Sequence, residues 1–200
     1  MTRVCTGKHL PPTATPLQGK ADVVRAFVEC GVDPRLPVGT SDKRYPIHHA
    51  CQKGHLEVVE ALLELGASTE DRDAYGYTAL ATAAEWGRSI EVVKALLARG
   101  ADISATNERG MPVLLTACVY KEGKMNMQAK TSVVRLLLDA GADPAARAID
   151  SAELWPVEGA TALHIAAQSG NVGALEVLLE SGRVDVEAAT EEGCRPLHQA

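Results

Sequence analysis

The side chains in this chain best suited to act as bases, nucleophiles or metal ligands are its histidines and cysteines. Their placement argues against each of those uses. His48, His164 and His198 each follow an aliphatic residue (Ile47, Leu163, Leu197) and precede an alanine two positions on. A histidine that recurs in one local frame marks a structural position, since a catalytic base occurs once beside its orienting partner. His9, His49 and His55 show no HExxH or triad spacing. The cysteines (Cys5, Cys30, Cys51, Cys118 and Cys194) are odd in number, and none forms a CxxC pair. They read as reduced thiols of a cytosolic or nuclear protein. There is no G-x-x-x-x-G-K-[ST] or G-x-G-x-x-G phosphate loop, and the acidic residues are scattered along helix surfaces. The expectation is a chain that is not an enzyme, with no catalytic residue, no metal site and no cofactor.

Composition narrows the class further. The chain is 46% hydrophobic and 23% charged, which excludes disorder throughout. Aromatics are 4%, and Ala, Leu and Val dominate instead, a composition that suits close packing of short helices. The net charge of −6 argues against nucleic acid as a partner. The first twenty residues lack the apolar core of a secretory signal, and no apolar run approaches the ~18 residues needed to span a bilayer, so no direct membrane insertion is expected.

What must position these residues is a repeat. A glycine closes each unit, at Gly31, Gly66, Gly100, Gly141 and Gly182, the first four followed by Val or Ala, with intervals of 35, 34, 41 and 41 residues. Eight residues before each lies an apolar pair: Val23-Val24, Val58-Val59, Val92-Val93, Val133-Val134 and Ala174-Leu175. Aliphatic pairs follow at helical spacing, as in Leu62-Leu63 and Leu96-Leu97. A second signature opens the units: Tyr45-Pro46-Ile47-His48-His49-Ala50, Thr78-Ala79-Leu80, Pro112-Val113-Leu114, Thr161-Ala162-Leu163-His164-Ile165-Ala166 and Arg195-Pro196-Leu197-His198-Gln199-Ala200. Thr78 and Thr161 suit N-caps. Pro46 and Pro196 suit the first helical position. Gly54, Gly87 and Gly170 then stop the first helix of a unit. Helices this short need stacking to be stable.

The opening signature resembles the T-P-L-H-x-A motif of ankyrin repeats, over roughly residues 18–200. The resemblance implies an all-α, ankyrin-type solenoid of helix–turn–helix units joined by hairpin loops. The divisions expected are an irregular segment 1–17, a half-repeat 18–40, units 41–72, 73–106, 107–147 and 148–190, and a partial unit 191–200. In such stacks the signature histidine hydrogen-bonds a neighbouring hairpin backbone, and Cys51 and Cys118 replace an alanine as small buried residues. The family's hydroxylated asparagine is not matched, since Glu70, Ser104, Ala145 and Glu187 hold that place.

Three departures stand out. Pro11, Pro12 and Pro16 forbid a regular helix before residues 21–29, so unit one keeps its second helix alone and Val23, Val24, Phe27 and Val28 lose part of their cover. The chain stops inside a sixth unit without a polar capping repeat, the pattern of a fragment of a longer array. Two insertions of about eight residues account for the long intervals: one between Cys118 and Val133, expected between the helices of unit four, the other between Arg147 and Gly159 in the hairpin before unit five. Both suit either tolerated loop drift or a binding role.

The resemblance also implies that partners are held by the hairpin tips and the exposed side of the first helices. The matching positions are Arg44, Gln52 and Lys53 in unit two and Tyr75, Tyr77, Glu85 and Trp86 in unit three. Unit four supplies Glu108, Arg109, Met111, Val119 and Tyr120, and unit five supplies Ala160, Gln168 and Ser169. Trp155 lies on the second insertion. Interface hot spots are enriched in Trp, Tyr and Arg, which centres the candidate surface on units three and four. The competing role for these aromatics is to shield the helix seam and pack between hairpins. The expected function is a non-catalytic module, a monomeric array that binds another protein. The alternative is the recognition or targeting domain of a longer enzyme or membrane protein. Alanine at Tyr75, Tyr77 and Trp86 together is expected to abolish partner binding while leaving helicity intact, which affinity measurements beside circular dichroism check.

Overall fold

A computed structural model describes residues 20–37, 42–120, 126–149 and 158–199. The described chain forms α1 (Lys20–Glu29), α2 (Pro46–Lys53), α3 (Leu56–Glu64), α4 (Ala79–Trp86), α5 (Ile90–Ala98), α6 (Val113–Cys118), α7 (Met127–Asp139), α8 (Ala162–Gln168) and α9 (Val172–Glu180), then a 3-10 turn over Pro196–Gln199. The helices stack in two layers. In one, α2, α4, α6, α8 and the 3-10 turn follow one another; in the other, α1, α3, α5, α7 and α9 do so. Each first helix also packs on the second helix of its own unit. This is the all-α repeat solenoid that the sequence pattern predicts.

The first-helix layer is tight because its residues are small. Ala50, Ala79, Ala83, Ala84, Ala117, Ala162 and Ala166 are buried between neighbouring helices, and Ile47, Leu80, Leu114 and Leu163 fill the signature aliphatic position with almost no exposure. Each such aliphatic contributes about 1.5–3 kcal/mol through burial. Local chemistry sets the ends. Thr78 and Ser89 accept the N–H groups of Ala81 and Val92 at the starts of α4 and α5, and Pro46 opens α2. Unit one has α1 without a first helix before it in the described chain, and Val23 and Phe27 are 41% and 58% exposed.

The first insertion is not all loop. Where α3 and α5 begin two residues before their valine pairs, α7 begins six residues before Val133, so part of the inserted sequence extends the helix. Asn126 caps it, accepting the Ala129 N–H at 3.2 Å. The extension carries Lys130, which is fully buried. Its ammonium donates to the carbonyls of Ala84 at 2.9 Å and Glu85 at 2.8 Å, at the end of α4, and reaches that of Thr116 in α6 at 3.4 Å. A cation at a helix C-terminus meets carbonyls that have no intrahelical donor, and the negative end of the dipole. Gly87 makes room for it. Its φ of 54° is left-handed, and a Cβ there would stand 2.6 Å from the Lys130 Cδ.

Replacing this cation is costly, because the carbonyls it satisfies stay buried. Lys130→Met is expected to lower the unfolding free energy by about 2–4 kcal/mol. The exposed Lys94→Met, which breaks an ion pair with Glu91, should change it by no more than ~0.5 kcal/mol. Urea titrations of the two variants check this; equal losses would remove Lys130 from its anchoring role.

Candidate functional site

The hairpins before units three, four and six share one construction. At Asp73 the amide donates to the Tyr77 carbonyl, and Oδ1 accepts the N–H groups of Tyr75 and Tyr77 at 2.9 and 3.0 Å. Asn107 repeats this with Met111, Arg109 and Met111 in turn. Thr190 uses its hydroxyl to accept the Cys194 N–H. Such side-chain-to-backbone bonds are the local alternative that Asp, Asn and Thr offer in turns. Gly76 is required at its place. Its φ is 76°, and a Cβ there would collide with the Glu108 amide of the next hairpin.

Hairpins are tied to one another along the stack. The Glu108 amide donates to the Tyr75 carbonyl at 3.1 Å. Arg72 donates through Nη1 to the carbonyls of Gly76 and of Thr106, one repeat away. Arg147 does the same to Gly159 and Ala189. The hairpin before unit five carries the second insertion in its sequence, between Arg147 and Gly159. Its base is closed by the Ala148 amide on the Ala160 carbonyl at 2.9 Å and the Gly159 amide on the Ala148 carbonyl at 3.0 Å.

Between the tips and the first helices of units two to four lies a groove of about 330 Å³, lined by Arg44, Tyr75, Tyr77, Glu85, Asn107, Glu108 and Arg109. Arg44 reaches it from unit two and is already engaged. Its Nε lies 3.4 Å from Oδ2 of Asp73, whose side chain is wholly buried, and 3.9 Å from Asp42, while Nη1 lies 3.4 Å from Gln52. Tyr75 is 55% exposed. Tyr77 is half-buried against the core. Burial, then the negative charges of Glu85 and Asp73, push its hydroxyl above the ordinary phenol range, against a hydrogen bond to Asn107 and the charge of Arg109.

Of the residues expected to face a partner, Arg44, Tyr75, Tyr77, Glu85 and Arg109 therefore meet in one place. Met111 is half-buried beneath the unit-four tip. Trp86, the last residue of α4, is half-buried and carries the Arg88 guanidinium over its ring at 5.7 Å. Tyr120 is half-buried just beyond α6. Lys53 is exposed at the end of α2 and lines a different, apolar groove with Val24, Phe27 and Val58. Trp155 lies outside the described residues. Val119 and Ala160 are not surface positions: α6 stops at Cys118 and Val119 folds into the core, while Ala160 sits inside the hairpin base. The sequence reading did not single out Asp73 and Asn107. Their signal was present as an Asp or Asn three residues before a glycine in Asp73–Gly76 and Asn107–Gly110, an Asx-turn pattern.

The chemically able side chains are held in structural bonds. His48 accepts the Tyr45 amide on Nδ1 at 3.3 Å and donates from Nε2 to the Tyr77 carbonyl at 2.9 Å. His164 accepts the Thr161 amide at 3.2 Å and reaches the Cys194 carbonyl at 3.0 Å. Both links run from one unit to the next hairpin and need a neutral ring. Burial pushes the Cys118 thiol up to about 12, and Cys51 rises further still for the same reason, so neither is a thiolate nucleophile at neutral pH. Among the described residues no cluster of His, Cys, Asp and Glu could hold a metal ion, and no helix is long and apolar enough to cross a membrane.

A stack of helix pairs whose hairpins are bonded one to the next is a repeat solenoid. The chain belongs to the ankyrin repeat family: the family model "Ankyrin repeats (3 copies)" matches residues 14–107 and 125–200. It is 35% identical over 108 residues, 54% of this chain and 22% of the relative, to "Ankyrin repeat, SAM and basic leucine zipper domain-containing protein 1" of Loxodonta africana. It is 32% identical to "Nuclear factor NF-kappa-B p105 subunit" of Gallus gallus, across 78% of this chain and 14% of that protein. It is also 32% identical to "E3 ubiquitin-protein ligase KEG" of Arabidopsis thaliana, across 82% of this chain and 9% of that protein. The chain thus spans less than a quarter of each of these three relatives. Ankyrin repeats are protein–protein interaction modules.

Burial holds the pKa values of His48 and His164 below the ordinary value of 6.5, with their carbonyl hydrogen bonds opposing in part. Unfolding releases that constraint, so the unfolded chain binds more protons below pH 6.5. The stability these rings contribute is complete above that pH and is lost as pH falls through it toward the folded values. The urea midpoint of the wild type is expected to drop between pH 7 and 5, and the drop should flatten in a His48→Asn/His164→Asn variant. An unchanged slope would assign the acid sensitivity to other groups.

Proposed function

We propose that this chain is a non-catalytic, monomeric interaction module that holds a segment of another protein along its hairpin tips and first helices, centred on the groove of units two to four. The observation that carries this reading is the convergence of Arg44, Tyr75, Tyr77, Glu85 and Arg109, drawn from three successive units, on one open polar groove. A rigid stack loses little conformational freedom on binding, which favours presentation of a preformed surface. Cys51, Cys118 and Cys194 are thiols and not disulfides, which supports a reducing compartment, cytoplasm or nucleus.

A second reading is a recognition or targeting domain within a longer protein. It is supported by the small share of each relative that this chain covers and by the ubiquitin ligase named among them. Both readings use the same groove.

Tyr77 packs against the core, so a variant confined to exposed side chains separates binding from folding better than one that removes it. Tyr75→Ala/Glu108→Ala is expected to keep the wild-type melting temperature and to lose at least about tenfold in affinity for the partner, measured by quantitative pull-down followed by titration of the purified protein. Equal affinity for wild type and variant would move the interface away from this groove.

A further inference from the structure

We infer that Ser68 is a phosphorylation site, modified by a protein kinase with a basic substrate cleft, and that the phosphoserine fills an anion position built into the repeat. This goes beyond the reading of the hairpin-tip groove and does not depend on what that groove holds.

The repeat frame defines the position. Just after the second helix, units one, three, four and five carry an aspartate: Asp33, Asp102, Asp143 and, one residue later in its unit, Asp185. In each, Oδ1 accepts the amide two residues on, at 2.8–2.9 Å, from Arg35, Ser104, Ala145 and Glu187. Unit two has a serine there. Its Oγ accepts the Glu70 amide in the same way, at 3.0 Å. The place favours an anion. At Asp102 the side chain and then the amide of Ser104 donate to the carboxylate and hold it below the ordinary range. A phosphate on Ser68 supplies unit two with the charged acceptor that the other units have.

Access and neighbouring charge single out the same residue. Of the described serines, Ser68 and Ser104 are exposed. The Ser104 hydroxyl is spent on Asp102, to which it donates at 2.6 Å. The Ser68 hydroxyl accepts, and among the described residues nothing takes its hydrogen. The chain that follows is also more open. The carbonyls of Asp33, Asp102, Asp143 and Asp185 each close a turn by accepting the amide three residues on, at 3.3 Å, and among the described residues Ser68 forms no such bond. An enzyme can therefore draw residues 68–71 into its cleft without first breaking a turn. Glu70 and Asp71 follow the serine, and no Lys or Arg lies within three residues on either side. Glu70 already accepts the Asp102 amide at 3.1 Å, which leaves Asp71 as the carboxylate for a basic cleft to read.

The step is phosphoryl transfer from a nucleoside triphosphate. Ser68 Oγ bonds to the γ-phosphorus, the bond from that phosphorus to the bridging oxygen breaks, the hydroxyl proton passes to the base of the kinase, and the nucleoside diphosphate leaves. Because the phosphate takes a place where the fold already accommodates an anion, it marks the surface without opening the stack.

The test is incubation of the full folded chain with magnesium ATP and an acidophilic serine/threonine kinase, one that selects a carboxylate three residues after its target, followed by tandem mass spectrometry. Phosphate is expected on Ser68, with Ser104 unmodified in the same sample. Ser68→Ala should abolish it and Asp71→Asn should slow it at least about tenfold. In the product the Glu70 amide should show the largest NMR shift beyond Ser68 itself, and the melting temperature should stay within about 3 °C of the unmodified chain. No phosphate on Ser68 of the folded chain, even where the peptide 62–74 is modified, a preference for Thr69 or Ser104, or an equal rate for Asp71→Asn would each overturn the site. A larger fall in melting temperature, or a Glu70 amide that does not move, would overturn the anion position.

Discussion

None of these helices can stand alone. They run from six residues in α6 to thirteen in α7, whereas an isolated helix needs roughly 12–15 residues even for marginal stability. Everything else in the molecule follows from making each unit the missing surroundings of the next. Alanines at the first-helix contacts let backbones approach, and the aliphatic pairs of the second helices close the other layer. Histidines in register then add a polar tie, from His48 to the Tyr77 carbonyl and from His164 to that of Cys194. Among the described residues, an apolar groove of about 430 Å³ lies beside α1, lined by Val24, Phe27, Val28, Pro46 and Val58.

The same constraint explains how the array accepts extra sequence. At the hairpin before unit five, the backbone bonds from Ala148 to Ala160 and from Gly159 to Ala148 close the base, so the described hairpin keeps its place on either side of the added sequence. In unit four the added residues are partly recruited into it. The longer α7 delivers Lys130 to the ends of α4 and α6, fastening three helices through one ammonium. The end of α4 it fastens includes Glu85, so the insertion also steadies one wall of the groove. A buried cation survives here because the carbonyl oxygens of Ala84, Glu85 and Thr116 accept from it, the condition under which desolvation is offset.

The repeat was legible in the sequence because it is periodic, the same residue type returning in the same frame; the two helix layers and the hydrogen-bonding role of the signature histidines followed from its resemblance to ankyrin repeats. Arg44, Tyr75, Tyr77, Glu85 and Arg109 were placed on one surface by that resemblance, without any sign that they share a groove. What could not be read was anything that breaks the period. Lys130 occurs once, in inserted sequence with no counterpart in other units, and nothing local marks it as buried. Val119 looked exposed by analogy with its frame, but α6 is shorter than its neighbours and turns that residue inward. Asp73 and Asn107 lay in plain view as turn formers. Their part in holding the groove, Asp73 under Arg44 and Asn107 against Tyr77, depends on contacts 29 and 30 residues apart.

A groove assembled from three units inherits its shape from their stacking, and this bears on how it can recognise anything. Its walls belong to unit two through Arg44, unit three through Tyr75, Tyr77 and Glu85, and unit four through Asn107, Glu108 and Arg109. A slip between units would change the distance between rings and carboxylates without altering any one residue. The ties across this stretch are correspondingly dense: Arg44 to Asp73, Arg72 to Thr106, the Glu108 amide to Tyr75, and His48 to Tyr77. Each joins one unit to the next within or directly beneath the groove. Preorganisation of this kind lowers the conformational cost of binding, and it makes the polar ties between units, which contribute modestly to stability one at a time, the determinants of the groove's shape.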